Sequence, residues 1–460
     1  MSAPMGVRVA ASVARAAGAL SRRTGRGGTS LPGKVLLRLQ PRAIGKLAAE
    51  LPRGTSVISA TNGKTTTAAM VAAILERGGA HLVHNATGAN MAGGVASTLL
   101  HQRGDTGLFE VDEFWLPQVV PELKPRAILL ANLFRDQLDR YGELETIADR
   151  WIDVVARARE SALVLNADDP TVAGLGAPRA AAGADGAAGV TYFGVDDDRV
   201  KLPGLPHASD ATHCRVCGSP LVYEAVFLGH QGRYHCPNGH VRRPEPSVAA
   251  EDIVFDGAKA ARFTLRTPAG SRAVSLPLPG LYNVYNALAA AALALTLDAT
   301  LDDVVAGLES VAPAFGRAET VTIDGTELAI LLVKNPAGAN EVVRTLALGE
   351  GVLDVLGILN DRIADGRDVS WVWDADFEAL TDRVRRFVCA GSRAPELAVR
   401  MKYAGLPEDR IVVAPSLAAA VDDALAHSDG AVYAIPTYTA MLELRAELVR
   451  RGAASSQWTT

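Results

Sequence analysis

Between residues 50 and 200 the chain alternates short apolar runs with longer stretches of helical period. The runs 56–59, 108–111, 127–131, 162–165 and 190–193 have the character of β-strands, and 66–78 and 147–160 repeat their apolar positions as helices do. This alternation predicts a parallel sheet with helices on both faces, and such sheets bind ligands outside the carboxyl ends of their strands. From about 200 to 248 the pattern breaks into a Cys- and His-containing insertion. A β-rich stretch, 252–278, and an alanine- and leucine-rich helix, 283–296, come next.

A second α/β unit begins near Pro313, with β-like runs at 328–333, 354–358, 386–390, 410–413 and 431–435 and a last helix over 440–451. The pattern divides the chain into three parts: a central domain (50–312, insertion about 205–245), an N-terminal helical segment (1–49) packing on that domain, and a smaller C-terminal α/β domain (313–460). The Gly- and Ala-rich stretch 174–189 reads as a flexible surface loop.

Composition narrows the class. The chain has 460 residues, enough for two or three domains, and 48% hydrophobic with 21% charged residues is that of a soluble globular protein. A net charge of −5 gives no bulk attraction to nucleic acid. Four cysteines in so long a chain, three of them within 23 positions, fit a reducing compartment better than a disulfide framework. No 18 apolar residues run uninterrupted, so no transmembrane segment is expected.

The candidate chemistry starts at Thr61-Asn62-Gly63-Lys64-Thr65-Thr66, between an apolar run and a helix. A strand, a small-residue turn and a helix N-terminus make a phosphate cradle, with Lys64 as point charge and the Thr65 hydroxyl placed for a phosphate-bound Mg²⁺. Ile58 stands where the first glycine of G-x-x-x-x-G-K-[ST] would be. Glu110-Val111-Asp112-Glu113 ends another strand, and carboxylates there are hard ligands suited to Mg²⁺. Cys214-x-x-Cys217, then 18 residues, then Cys236-Pro237-Asn238-Gly239-His240 is close to a zinc ribbon.

In order and spacing, the phosphate loop, the strand-end Glu110, Asn132-x-x-x-Asp136-x-Leu138-Asp139, Asn166-Ala167-Asp168-Asp169-Pro170, Leu278-Pro279-Gly280-x-x-Asn283-x-x-Asn286 and Gly316-Arg317-Ala318-Glu319 resemble the Mur ligase family. Those enzymes activate a carboxylate with ATP as an acyl phosphate, which an amine attacks. The resemblance implies that Thr61, Asn62, Gly63, Lys64, Thr65 and Thr66 hold the phosphates, and that Glu110 joins Thr65 at Mg²⁺. Asn283 is implied at the adenine and Arg317 at the terminal phosphate. It further implies Cys214, Cys217, Cys236 and His240 as structural zinc ligands, His240 standing in for a fourth Cys whose place Gly239 takes.

Two departures point to one branch. Gln137 replaces the family's His, and Leu331-Leu332-Val333-Lys334-Asn335-Pro336 replaces D-Y-A-H-N-P. The Asp- and Trp-rich run 359–378 is similar to the signature of the MurT branch, the ligase-like subunits of lipid II isoglutaminyl synthase. That similarity implies a glutaminase partner, GatD, supplying ammonia, and amidation of the D-glutamate α-carboxylate of lipid II, in the cytoplasm at the inner face of the membrane. An Asp is implied to complete the partner's Cys-His pair: Asp365 or Asp368, with Asp361 and Asp374 behind them. Trp371 and Trp373, two apart, are expected on one face of an extended segment. The alternatives are a Mur-type ligase that adds an amino acid and a noncatalytic nucleotide-binding module that recruits a partner. Arg242-Arg243 gives weak support to a nucleic-acid role for the ribbon.

Overall fold

The first six strands are β1 (Thr55–Ser59), β2 (Leu82–His84), β3 (Thr106–Glu110), β4 (Ala127–Leu130), β5 (Ala162–Asn166) and β6 (Val190–Val195), each parallel to its neighbours. They belong to a computed structural model that describes residues 5–23, 30–86, 88–136, 144–181, 189–206, 209–257, 259–311, 317–347, 349 and 351–454. The insertion folds as an antiparallel ribbon, β7 (Val222–Leu228) and β8 (Gln231–His235). The chain then returns to the sheet: β9 (Val248–Asp256) pairs parallel to β6, and β10 (Ala260–Thr267) and β11 (Gly270–Leu276) extend it antiparallel. The order is β11-β10-β9-β6-β5-β4-β1-β3-β2. With β1 between β3 and β4, the loops that leave these three strands open side by side at their carboxyl ends.

Strands β1, β3 and β4 are buried at every position, as strands covered on both faces must be. On one face lie the helices Lys64–Arg77 and Leu281–Thr296. The second is alanine-rich and buried almost all round, so its backbone approaches the first closely. The other face carries Leu31–Leu39, Ala92–His101, Leu116–Leu123 and Leu144–Arg157 around the fully buried Trp151. Trp151 also serves the site, since its Nε1 donates to the Glu113 carbonyl at 3.2 Å. A buried indole N–H needs such an acceptor.

The C-terminal sheet comprises β12 (Arg317–Ile323), β13 (Thr326–Leu331), β14 (Leu353–Ile358), β15 (Val384–Ala390), β16 (Ile411–Val413) and β17 (Val432–Pro436), ordered β12-β13-β17-β14-β15-β16. It is parallel except for the β12–β13 hairpin. The helix Pro336–Ala347 leaves β13 toward the central domain. Among the described residues, no helix is long and apolar enough to cross a membrane.

Two expectations fail locally. Part of the stretch read as a loop is helical, Ala177–Ala181, while 182–188 lie outside the described residues. Alanines next to a proline at the helix start favour that turn over coil. Trp371 and Trp373 are not in an extended segment, because Ser370–Asp374 forms a 3₁₀ helix. With three residues per turn, side chains two apart diverge. Trp371 packs on the C-terminal core, whereas Trp373 is exposed and meets Tyr403 edge-on at 5.8 Å.

Candidate active site

The phosphate loop leaves β1 through Gly63, whose φ of +84° opens the helix Lys64–Arg77. A Cβ on Gly63 would lie 2.0 Å from Asn286 Oδ1, so conformation and space both require glycine. Two asparagines fix the turn. Asn132, just past β4, accepts from the Asn62 amide at 2.9 Å and donates back to its carbonyl at 3.0 Å. Thr61 Oγ1 accepts from the Phe134 amide at 3.0 Å. The first-turn amides of a helix have no acceptor within the helix itself, which suits this N-terminus to an anion.

Lys64 is buried, with Nζ 2.9 Å from Glu113 Oε2 and a short contact to the Ala60 carbonyl. Burial disfavours its charge, but Glu113, Asp112 and Glu110 outweigh that and hold its pKa above the usual lysine value. Glu113 is buried as well. The nearby Lys64 and Lys334 overcome desolvation and hold its carboxyl below the usual range. The pair is therefore ionised on both sides.

Thr65 Oγ1 donates to Glu110 Oε2 at 2.9 Å, and Asn90 Nδ2 donates to Glu110 Oε1 at 3.2 Å. Asn85 clamps the Glu110 backbone through its amide (2.9 Å) and its carbonyl (2.8 Å). A hydroxyl and a carboxylate that converge at a phosphate loop fit a hard divalent cation. Asn85 and Asn90 follow β2, and their approach to Glu110 depends on β2 running beside β3.

From the C-terminal domain, Lys334 Nζ reaches the Thr61 carbonyl at 2.9 Å and pairs with Asp136. Burial pushes the Asp136 carboxyl up despite that ammonium. Asn335 and Asn62 exchange reciprocal side-chain hydrogen bonds at 3.1 and 3.3 Å across 273 positions of sequence. Lys334-Asn335 thus docks the C-terminal domain directly on the phosphate loop.

A cleft of about 850 Å³, counting its open mouth, runs from the loop into the domain junction. Its lining includes Asn62, Gly63 and Thr66 of the loop together with Phe134, Leu228 and Tyr282. Asn283 is one layer behind: it donates to the Pro279 carbonyl at 2.7 Å and accepts from Asn286 at 3.2 Å. Asn286, not Asn283, lines the cleft. The Arg317 backbone pairs with Leu331 of the cleft wall, and its side chain lies outside the described residues, as does Gln137.

The Asn166–Pro170 motif braces the site from behind. Asp169 caps the helix Pro170–Gly174 and accepts from the Leu133 amide (3.0 Å) and the buried His230 of the ribbon turn (3.2 Å). Asp168 holds Arg243, Tyr285 and the Val195 amide.

In the ribbon the ligand atoms of Cys214, Cys217, Cys236 and His240 all lie within 4.8 Å of one another. Cys217 Sγ to Cys236 Sγ is 3.6 Å, and Cys236 Sγ to His240 Nδ1 is 3.7 Å. Zn–S bonds of about 2.3 Å at tetrahedral angles put ligands roughly 3.5–3.8 Å apart, so the cluster fits zinc. Hydrogen bonds from Asn238 and Ser219 lower the Cys217 pKa to about 5, favouring thiolate.

Residues 58–238 match the model of the Mur ligase middle domain, and residues 332–441 match that of the MurT ligase C-terminal domain. The chain is 32% identical over 435 residues to the MurT subunit of the lipid II isoglutaminyl synthase (glutamine-hydrolyzing) of Streptococcus pneumoniae, covering 93% of this chain and 94% of that one. The chain belongs to the MurT family of Mur-type ligases. The Staphylococcus aureus MurT subunit is 31% identical, covering 95% and 97%. Among solved structures, a pseudomurein peptide ligase type C from Methanothermus fervidus superposes with a TM-score of 0.67 at 22% identity, over 88% of this chain and 80% of that one. The MurF ligase from Thermotoga maritima, solved in complex with ADP, gives 0.61 at 13% identity, over 91% and 85%. These two similarities establish the shared fold.

The Asp-rich run 359–378 lies within the residues that match the MurT ligase C-terminal model. Asp365 is buried: Oδ1 accepts from the Thr439 amide at 2.7 Å, and Oδ2 from the Thr439 hydroxyl and the Arg362 amide. Asp361 is tied to Ser392 and Arg393. Asp368 is exposed, and the Ser370 hydroxyl and amide hold its carboxyl below the usual range.

Proposed function

We propose that this MurT-family chain activates the α-carboxylate of D-glutamate in the lipid II stem peptide with ATP, and that ammonia from a GatD-like glutaminase converts it to D-isoglutamine. A carboxylate oxygen attacks the γ-phosphorus, ADP leaves, ammonia attacks the acyl carbon, and phosphate departs with the C–O bond. The single observation that carries this reading is the convergence of Lys64, Thr65 and Glu110 on one phosphate loop in a chain of MurT-family sequence.

The phosphoryl transition state gathers negative charge, so catalysis is mainly positioning and charge stabilisation. Lys64 exchanges Glu113 for phosphate oxygens, and the first-turn amides bind the β-phosphate. Thr65 and Glu110 would hold Mg²⁺, which would supply positive charge against the phosphate oxygens. Arg317, at the start of β12, supplies a further cation from the domain boundary. The Cys₃His ribbon holds structural zinc.

Asp368 is assigned to the partner. An exposed, ionised carboxylate can orient and charge an imidazole on another chain, whereas both oxygens of Asp365 are already engaged within the fold. The partner binds the C-terminal domain, and the reaction runs in the cytoplasm at the inner membrane face. The deciding assay is amidation of lipid II by the chain with its glutaminase, ATP and glutamine. Lys64→Ala must abolish amidation. Asp368→Asn must cut glutamine hydrolysis while leaving ATP binding intact. Full amidation by Lys64→Ala would overturn the mechanism.

A further inference from the structure

Glu341 is a carboxyl buried in the cleft with no evident purpose in the fold. It lies on the helix Pro336–Ala347, 6% exposed, and its Oε2 is wholly buried with no hydrogen-bond partner among the described residues. Leaving such a group unsatisfied costs on the order of 1–3 kcal/mol, so its retention calls for a ligand.

The groups facing it are occupied. Arg344, one turn along the same helix, donates to the Phe227 and Val200 carbonyls, each at 2.6 Å. Tyr285, from the facing helix Leu281–Thr296, gives its hydroxyl to Asp168 at 2.7 Å. Lys334, from the segment before, is bound to Thr61 and Asp136. Burial, only partly offset by Arg344, pushes the Glu341 pKa up to about 7.

The cleft sets the ligand chemistry. Phosphates seated on Asn62, Gly63 and Thr66 leave the rest of the cleft, whose lining includes Phe134, Tyr282 and Glu341, for the base of the same nucleotide. We propose that Glu341 reads the adenine edge, accepting from the 6-amino group and, when protonated, donating to N1. This rests on the ATP reading above and extends it to nucleotide choice by the C-terminal domain. A neutral carboxyl offers one acceptor and one donor side by side, as the adenine edge requires, and an ionised one offers only acceptors. A glutamine amide reproduces the neutral arrangement at every pH.

The test measures affinities of the full chain with its partner for ATP, purine riboside 5′-triphosphate (which lacks the 6-amino group) and tripolyphosphate. The wild type should prefer ATP to the deamino analogue by about tenfold, the size of one buried hydrogen bond. Glu341→Ala should bring that ratio near one without changing tripolyphosphate affinity. ATP affinity of the wild type should fall between about pH 6 and pH 8.5, and Glu341→Gln should remove that dependence. An unchanged ATP-to-analogue ratio in Glu341→Ala overturns the inference. Should that variant not fold, the same pH dependence in Glu341→Gln as in wild type overturns it. If Lys64→Ala leaves all three affinities unchanged, the ATP reading itself is wrong, a result distinct from either.

Discussion

Lys64 and Glu113 form a buried ion pair, 2.9 Å apart, at the start of the phosphate helix. Each group holds the other charged where burial alone would neutralise both. Glu113→Gln leaves the ammonium buried without its carboxylate and should cost about 3–5 kcal/mol, read from the urea midpoint. The pH profile carries a second signature. The folded pKa of Lys64 is raised, so its contribution is complete below the ordinary lysine value and is lost as pH rises through the raised one. The folded pKa of Glu113 is lowered, so its contribution is present above the ordinary carboxylate value and is lost as pH falls through the lowered one. Between those limits wild-type stability should show a plateau from this pair. In Glu113→Gln the alkaline edge should move to lower pH; an unmoved edge would show that Glu113 does not charge Lys64.

Gly63→Ala tests the loop geometry. The substitution meets both a left-handed backbone and the Asn286 amide at 2.0 Å. Backbone strain alone costs about 1–3 kcal/mol. Displacing Asn286 also releases Thr67, which donates to it at 3.2 Å. ATP affinity should fall at least tenfold by calorimetry, with a lower thermal midpoint. Wild-type affinity would mean the loop does not cradle phosphate.

The phosphate loop was legible because its chemistry is local: Thr61 to Thr66 are consecutive, and strand, turn and helix leave a composition that can be read directly. The Cys and His spacing of the ribbon was legible for the same reason. Glu113 was visible only as one acid in an acidic strand end, since its pairing with Lys64 depends on β3 lying beside β1. Lys334, Asn335 and Glu341 come from the second domain, and no local pattern encodes contacts that span 273 positions. Asn286 rather than Asn283 lines the cleft, and only packing decides which of the two asparagines of that motif is in front.

Lys334 ties the domains to each other through the loop that follows β1. Lys334→Met keeps most of the length of the side chain and removes the charge from beside Asp136, whose carboxyl burial already pushes up. Asp136 should then take up a proton at higher pH than in the wild type, and the C-terminal domain should dock less firmly. Amidation should fall roughly tenfold or more, mainly through kcat, because substrate alignment across the junction is what the contact supplies. The double variant Lys334→Met, Asp136→Asn should recover stability but not rate. Equal recovery of both would make Lys334 a purely structural residue.

The ribbon reaches the active site through its turn. Among the described residues its own core is Cys214, Leu221, Tyr234 and Cys236 with Tyr223 and Val241, too little apolar surface to hold two strands unaided. At its far end His230 binds Asp169, and Leu228 and Gln231 line the cleft. Metal loss should therefore weaken ATP binding as well as the ribbon. One zinc per chain is expected by elemental analysis. Cys236→Ser should lose it, lower the thermal midpoint and raise KM for ATP more than it lowers kcat. His240→Cys should retain zinc, because thiolate satisfies the same tetrahedron, whereas His240→Ala should bind it far more weakly. Full zinc content in both Cys236→Ser and His240→Ala would remove these residues from the metal site. An unchanged KM in metal-free protein would separate the ribbon from the cleft.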